Sequence, residues 1–326
     1  MPAFTPRPAE AGRLLRISVI IPARNEAQHI GAVVASVLRQ QPAGAELEVI
    51  VVDDGSTDST AATARGAGAQ VLELGGSDGN PAAARNRGAA AARGDLLVFL
   101  DSDCTPDPGW LDALVAAHQR GAVIVGGALD LPAGLSASAR CDYYCGWYHV
   151  HSRRRPGAVS NHPPGNLSIR REAFAATSGF VERQPIAYAH EELVLQAELR
   201  KAGAPVWFEP AAIVRHRNRP GFGNLLRRNY RWGYSALETK AETGAARAAW
   251  LYRHPYLLLA ASAPLAPVQA AYIIGCWLRA GIWEPLLFAP VVLAARAAYT
   301  AGFIAGGIRW LRGRRAPAAA YRPRWE

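Results

Sequence analysis

Leu96-Leu97-Val98-Phe99-Leu100-Asp101-Ser102-Asp103 is a fully apolar run that ends in two carboxylates one residue apart. The run reads as a buried strand, and alternate residues at a strand end lean the same way once the chain turns. Asp101 and Asp103 are therefore placed to hold a hard divalent cation together. In an open α/β sheet, the carboxyl end of a strand is where ligands bind.

Working outward, two more apolar runs end in polar rims. Val49-Ile50-Val51-Val52 leads into Asp53-Asp54-Gly55-Ser56-Thr57-Asp58, and Ile17-Ser18-Val19-Ile20-Ile21 leads into Pro22-Ala23-Arg24-Asn25-Glu26. Three strands thus deliver charged groups to one edge, which a purely structural loop does not need. Apolar runs alternating with helical segments at short intervals predict parallel strands with crossover helices, an α/β fold. Strands are expected near 17–21, 48–53, 70–74, 96–100 and 123–126, with helices near 29–40, 59–66, 81–92 and 109–120. Asp58 supplies an acceptor side chain at the start of the second helix. Beyond Gly126 the alternation loosens. Pro163 to Arg170 reads as a loop entering a short strand, and Ala187 to Gly203 as a helix that opens with His190-Glu191-Glu192.

Composition narrows the class. The chain has 326 residues, half of them hydrophobic, 19% charged, and a formal charge of +10. The apolar excess comes late. No charge occurs from Tyr256 to Leu278, and only Arg296 from Pro285 to Ile308. At about 1.5 Å per residue each stretch is long enough to cross a hydrocarbon core of about 30 Å as a helix. Pro264, Pro267, Gln269 and Arg296 keep a re-entrant or interfacial hairpin open beside a spanning one. Arg247 and Arg253 precede the pair, and Arg309, Arg312, Arg314, Arg315, Arg322 and Arg324 follow it, which puts both ends on the cytoplasmic side. Met1 to Arg16 lacks the long apolar core of a cleavable signal.

The arginine clusters suit anionic headgroups or phosphorylated substrates. No zinc-finger, helix-turn-helix or RNA-binding signature is present, so nucleic acid is not an expected partner. Neither Gly-x-Gly-x-x-Gly after the first strand nor a P-loop occurs, so phosphate charge must be met by another device. Cys141, Cys145 and His149 share a helical stripe, read as core-facing because no second ligand pair accompanies it.

In order along the chain, Val19 to Glu26, Val51 to Asp58, Ala84-Arg85-Asn86-Arg87-Gly88, Phe99 to Asp103, Gly165-Asn166-Leu167-Ser168 and His190-Glu191-Glu192 resemble the family 2 glycosyltransferases. The resemblance covers Ile17 to Gly233. It implies a GT-A fold with a mostly parallel nucleotide-binding sheet, a nucleotide-sugar donor taken as uridine-linked, a divalent cation (Mn2+ or Mg2+), and transfer with inversion at the anomeric carbon. By that resemblance Pro22, Arg24 and Glu26 line the nucleoside pocket, Asp54 faces the base with Asp53 beside it, and Arg85 approaches the nucleotide. Asp101 faces the ribose or the metal with Ser102 next to it, and Asp103 binds the metal. His216 matches a histidine that some relatives place near that metal, and Asn166 falls on the diphosphate and acceptor side.

The attacking hydroxyl needs a base opposite the leaving group. Glu192 is the candidate, with Glu191 the alternate, because the family usually shows Glu-Asp where this chain has Glu191-Glu192. Arg228-Asn229-Tyr230-Arg231-Trp232 resembles the Gln-x-x-Arg-Trp element of processive synthases, with Arg228 replacing Gln; there Trp stacks an acceptor sugar and Arg lies by the diphosphate. That replacement and the single apolar pair predict a non-processive enzyme.

The expected domains are an N-terminal tail (1–16), a glycosyltransferase domain (17–240, dividing at 127/128), a membrane-associated hairpin (250–312) and a basic tail (313–326). The expected activity is transfer to a lipid or lipid-linked acceptor at the cytoplasmic face of the cell membrane. The alternatives are a sugar nucleotidyltransferase, which would need a Gly-rich loop after the first strand, and an inactive nucleotide-sugar-binding scaffold.

Overall fold

The computed structural model describes residues 14–75, 79–183, 190–243, 254–262 and 264–313. Residues 1–13 of the expected N-terminal tail (1–16), residues 314–326 of the expected basic tail (313–326), the flanking Arg247 and Arg253, and Ala187 to Ala189 lie outside these. Two compact units divide the chain. The first is drawn from Met1–Leu135, His149–Glu182 and Leu195–Asn218, the second from Ser136–Tyr148, Arg183–Val194 and Arg219–Glu326.

The first unit is built on nine strands, β1 (Leu15–Ala23), β2 (Ala45–Asp53), β3 (Gln70–Glu73), β4 (Leu96–Leu100), β5 (Cys104–Pro106), β6 (Ile124–Asp130), β7 (Gly157–Val159), β8 (Asn166–Arg170) and β9 (Val206–His216), in one sheet of order β3-β2-β1-β4-β8-β6-β9-β5 with β7 also paired to β9. Strands β1, β2, β3 and β4 pair in parallel, with Val19 between Val49 and Val98. The continuous apolar runs of β1, β2 and β4 are buried on both faces, the pattern of a parallel sheet covered by helices, while β3 at the edge is half-buried to exposed. The covering helices are α1 (Ile30–Leu38), α2 (Thr60–Gly66) and α3 (Pro81–Ala91). Pro81 opens α3, and the side chain of Asn80 accepts from the Ala83 amide at 3.1 Å. At α2 the Asp58 carboxylate accepts from the Thr60 amide at 3.0 Å and from the Ala27 amide at 3.2 Å, so it starts the helix and also ties the first loop to the second.

Beyond β4 come β5 (Cys104–Pro106), α4 (Trp110–Gln119) and β6 (Ile124–Asp130), and the sheet changes character. After α5 (Ala137–Gly146), which belongs to the second unit, come β7 (Gly157–Val159) and β8 (Asn166–Arg170). β8 runs antiparallel between β4 and β6. The short helix α6 (Arg171–Ala175) follows, then α7 (Leu193–Lys201). Residues His190 to Glu192 form a turn ahead of α7, so the helix is shorter than its apolar pattern suggests.

Strand β9 (Val206–His216), like the short β5 and β7, is not among the strands expected from the sequence. It lies parallel to β6 through an irregularity at Gly127/Ala128, then continues to pair antiparallel with β5, setting His216 opposite Cys104. Gly127 is required at that irregularity, since a Cβ there would lie 2.3 Å from the Ala212 carbonyl oxygen.

The second unit is helical: α5, then α8 (Phe222–Thr243), α9 (Pro255–Ser262), α10 (Leu265–Arg279) and α11 (Ala289–Gly313), with a 3-10 turn at Glu284–Leu286 before α11. α8 and α11 run side by side in the same direction. Cβ atoms at Gly302 and Gly306 would lie 2.0 and 1.8 Å from the carbonyl oxygens of Tyr230 and Tyr234, so the backbones touch. Ala236, Leu237 and Phe303 form the core beside this contact. α11 is apolar and long enough to cross a membrane over Ala289–Arg312, and α9 and α10 form a pair bent by 67°. Arg296 does not face open surroundings: it is buried, bonded to the Asn229 side chain, and 4.8 Å over the Tyr299 ring. Cys141 and Cys145 are buried on α5, which ends before His149.

Candidate active site

The carboxyl ends of β1, β2 and β4 carry the predicted rim. At the end of β1, Pro22 is buried, Arg24 is exposed and Glu26 is half-buried. Asn25 takes φ +54°, a left-handed conformation that Asn tolerates better than most side chains. Its side chain accepts from the Thr57 amide at 2.8 Å while its own amide donates to Ser56 Oγ at 2.9 Å, stitching the first rim loop to the second. The Arg24 guanidinium lies against Gly79, where a Cβ would approach it to 2.1 Å. Asp53 and Asp54 are both buried. Asp53 accepts from the Ser56 amide at 3.2 Å and from its hydroxyl, closing the turn. The Asp54 amide donates to the Ala23 carbonyl at 2.9 Å.

At β4 the guanidinium of Arg85, buried on α3 and 5.6 Å from the Phe180 ring, donates to Asp101 Oδ1 at 2.6 Å. Only 30% of the Asp101 side chain is exposed, and a pair this enclosed is strong because its charges are poorly screened. The other oxygen of Asp101 lies where a Cβ on Gly165 would come within 2.5 Å, so only glycine fits there. Ser102 is half-buried between the two carboxylates.

Asp103 clusters with Cys104 and His216. Its Oδ1 lies 3.6 Å from His216 Nε2, and the donor atoms of Asp103, Cys104 and His216 all lie within 4.8 Å of one another. The Arg217 amide donates to the Asp103 carbonyl at 2.9 Å, fixing β9 to this corner. On the other side of the imidazole, His216 Nδ1 meets Asn218 Oδ1 at 2.9 Å. An amide oxygen can only accept, so Nδ1 donates here and Nε2 is the ring nitrogen turned toward Asp103. The Cys104 thiol is pushed well above its usual range by burial and by Asp103 and Asp101, which keeps it protonated. The groups in place are thus a carboxylate and an imidazole nitrogen, a set that fits Mn2+ or Mg2+. Asn218 had escaped the sequence reading; the only signal was a His-x-Asn spacing at a strand end.

Asn166 sits beneath the site as a brace. It is fully buried, donates to the carbonyls of Ala128 and Ala212 at 2.9 Å each, and accepts from the Trp110 indole at 2.9 Å.

In the helical unit Glu191 and Glu192 are both buried, each at 5% exposure. Beside them His190 Nδ1 meets Ser235 Oγ at 2.6 Å, and burial, with Lys240 adding to it, lowers its pKa to about 3, so the ring is neutral. Arg231 is exposed and Trp232 half-buried on α8. Arg228 holds Trp232: its guanidinium lies 4.6 Å from that ring and 5.8 Å from Trp147, and pairs with the buried Asp142 at 2.5 Å. The replacement of Gln by Arg at this position is therefore matched by a carboxylate on α5.

A family profile described as "Glycosyl transferase family 2" matches residues 18–177. The chain is 30% identical over 229 residues to "Glycosyltransferase AglE" of Haloferax volcanii, covering 68% of this chain and 73% of that protein.

This chain belongs to glycosyl transferase family 2.

It is also 33% identical over 240 residues to "Pre-mycofactocin glycosyltransferase" of Mycobacterium tuberculosis, covering 71% of this chain but spanning only about half, 49%, of that relative. Among solved structures the fold resembles "Mannosyltransferase PcManGT" of Pyrobaculum calidifontis, a complex with GDP-Man and Mn2+, at TM-score 0.59 and 20% identity over 92% of this chain and 88% of that one. The GT-A arrangement expected from the sequence is thereby shown. The family 2 profile covers the rim from β1 to α6; His190 to Glu192, His216 and Trp232 lie beyond it.

Proposed function

We propose that this chain is an inverting, metal-dependent glycosyltransferase that moves a sugar, in the first instance a hexose, from a nucleoside-diphosphate donor to a lipid or lipid-linked acceptor on the cytoplasmic side of the cell membrane. The observation that carries the proposal is the pairing of two devices at the end of β4: the Arg85–Asp101 ion pair, and Asp103 with His216 turned toward it. The nucleoside lies along Pro22, Arg24, Glu26, Asp53 and Asp54, with the loops fixed by Asn25 and Ser56 so that binding spends little ordering entropy. Arg85 holds the Asp101 carboxylate in place for the ribose hydroxyls or the cation. Asp103 and His216 would hold the Mn2+ or Mg2+, which when bound neutralises charge on the departing diphosphate. Arg231 adds a fixed positive charge for that diphosphate, and Trp232 offers a flat face for the acceptor sugar.

Glu192 takes the proton from the attacking hydroxyl, with Glu191 the alternative. A glutamate here reaches about 1.5 Å farther than an aspartate, a difference that matters for catalytic geometry. The lipid character of the acceptor is supported by the apolar helices α9 to α11 in the same chain.

Purified protein in mild detergent, screened for slow donor hydrolysis across nucleotide sugars beginning with uridine-linked ones, tests the proposal. One donor should be turned over in the presence of Mn2+ or Mg2+, and Asp103→Ala should abolish both hydrolysis and transfer. Full turnover by that variant refutes the metal assignment, and pyrophosphate release from a nucleoside triphosphate would favour a nucleotidyltransferase.

A further inference from the structure

The exposed residues of the C-terminal apolar stretch form one chemical class. Among the described residues from Tyr256 to Ile308, Arg279 is the only exposed charge. The rest of that surface includes Tyr256 at 67%, Trp283 at 67% and Leu287 at 81% exposure, together with Leu257, Val268 and Tyr272. Along α11 the exposed positions Pro290, Leu293, Ala294, Ala297, Ala301 and Ile308 fall on one helical stripe. Glu284 is withdrawn from the surface by the Tyr144 hydroxyl at 2.6 Å and by Arg140. Exposed basic residues, Arg279, Arg309 and Arg312, bound the apolar surface, and the sequence beyond Gly313 adds Arg314, Arg315, Arg322 and Arg324. An apolar face with aromatic anchors and an arginine border is complementary to an anionic lipid leaflet.

The packing of α8 on α11 then decides how that leaflet is met. α11 from Pro290 to Ile308 spans about 27 Å at 1.5 Å per residue, close to the thickness of a hydrocarbon core. Gly302, however, rests on the Tyr230 carbonyl, and α8 runs in the same direction. Arg227, three residues before Tyr230, therefore sits level with the middle of the apolar stripe, about 13 Å from either end. Both Arg227 and Arg231 are exposed there. Were α11 upright in a bilayer, two solvated guanidinium groups would stand in hydrocarbon, which membrane proteins avoid unless such groups face protein or water.

We propose that α9, α10 and α11 lie flat on a single anionic leaflet, with α11 in the plane of the interface and α8 on its watery side, and do not cross the bilayer. This rests on the membrane attachment proposed above and chooses the interfacial arrangement over the spanning one, both of which hydropathy leaves open. Trp283 and Leu287 enter beside Tyr256, Leu257, Val268 and Tyr272, while Arg227 and Arg231 stay in water.

Two measurements test it on the full chain. In co-sedimentation, vesicles of phosphatidylcholine with about one third phosphatidylglycerol should bind the protein, and Val268→Glu with Leu287→Glu should weaken binding at least tenfold with an unchanged melting temperature, since both positions are exposed. For orientation, Arg279→Cys and Arg312→Cys are made singly in a Cys276→Ala background, bound to sealed vesicles and treated with a membrane-impermeant maleimide. Flat docking makes both sites react without detergent. Should either react only after permeabilisation, α11 crosses the bilayer and the flat arrangement is wrong while attachment stands. If no vesicle binding occurs, and the protein instead forms a dimer that the two glutamates dissolve, the occupant is a second copy and the membrane reading falls, leaving the donor-hydrolysis result untouched.

Discussion

Replacing Gly306 by alanine should separate backbone-on-backbone packing from ordinary helix propensity. The new Cβ would lie 1.8 Å from the Tyr234 carbonyl oxygen and 2.6 Å from its carbon. Real contacts of this kind begin near 3 Å, so α8 and α11 must part by a little more than 1 Å. A gap of 0.5–1 Å already forfeits about a quarter to a half of each dispersion contact, and the Leu237–Phe303 core lies directly beside it. Overpacking of this kind costs about 1–3 kcal/mol, and a rigid backbone oxygen puts the site at the upper end. Alanine returns about 0.5–1 kcal/mol of helix propensity, leaving a net loss of about 2 kcal/mol.

Gly275 on α10 is the control, because nothing lies within 4 Å of a Cβ there. Gly275→Ala should stabilise by about 0.5–1 kcal/mol. At about 2–4 °C per kcal/mol for a unit of this size, the two variants should melt roughly 5–10 °C apart. Scanning fluorimetry in mild detergent reads the difference. If Gly306→Ala melts with or above the wild type while Gly275→Ala behaves as stated, the close approach of α8 and α11 is wrong.

Other consequences follow from single contacts. Asn218→Ala should remove the hydrogen bond that orients the His216 ring and weaken Mn2+ binding by about tenfold in calorimetry, the usual effect of losing a group that orients a metal ligand; unchanged affinity would show that Asn218 does not orient the ring. Arg228→Gln removes the guanidinium paired with the Asp142 carboxylate, which is 3% exposed, and should cost about 2–3 kcal/mol of stability, with Asp142→Asn added to it recovering most of the loss; a double variant no better than Arg228→Gln would rule out the ion pair as the cause. Burial lowers the pKa of His118 and His149 to about 3 and of His162 to about 4, all below the ordinary value of 6.5. The unfolded chain therefore takes up these protons first as pH falls, so stability should hold above about pH 6.5 and decline between there and pH 4. Denaturant midpoints at pH 7.5, 6 and 5 check this, and a flat profile would contradict it.

How much could be read without coordinates depends on the range of the interaction. β1, β2 and β4 were legible because a strand buried on both faces needs an unbroken apolar run, and their rim acids because polar residues cannot continue it. The antiparallel insertion of β8 and the whole of β9 left only weaker traces, since β9 alternates buried and half-exposed positions around Pro210. Glu191 and Glu192 were found by their order along the chain, but not their burial.

The sequence by itself determined the parallel half of the sheet, the acidic ends of β2 and β4, and the presence of an apolar C-terminal region, because each is a local pattern of period and charge. Only the tertiary structure decided that Asp101 answers to Arg85, that Asp103 meets a histidine held by Asn218, and that Arg228 is matched by Asp142. It also set the depth of Arg227 against α11. Pairings between distant segments are fixed by strand register and by how closely two backbones can approach, and neither quantity is written in any short stretch of residues.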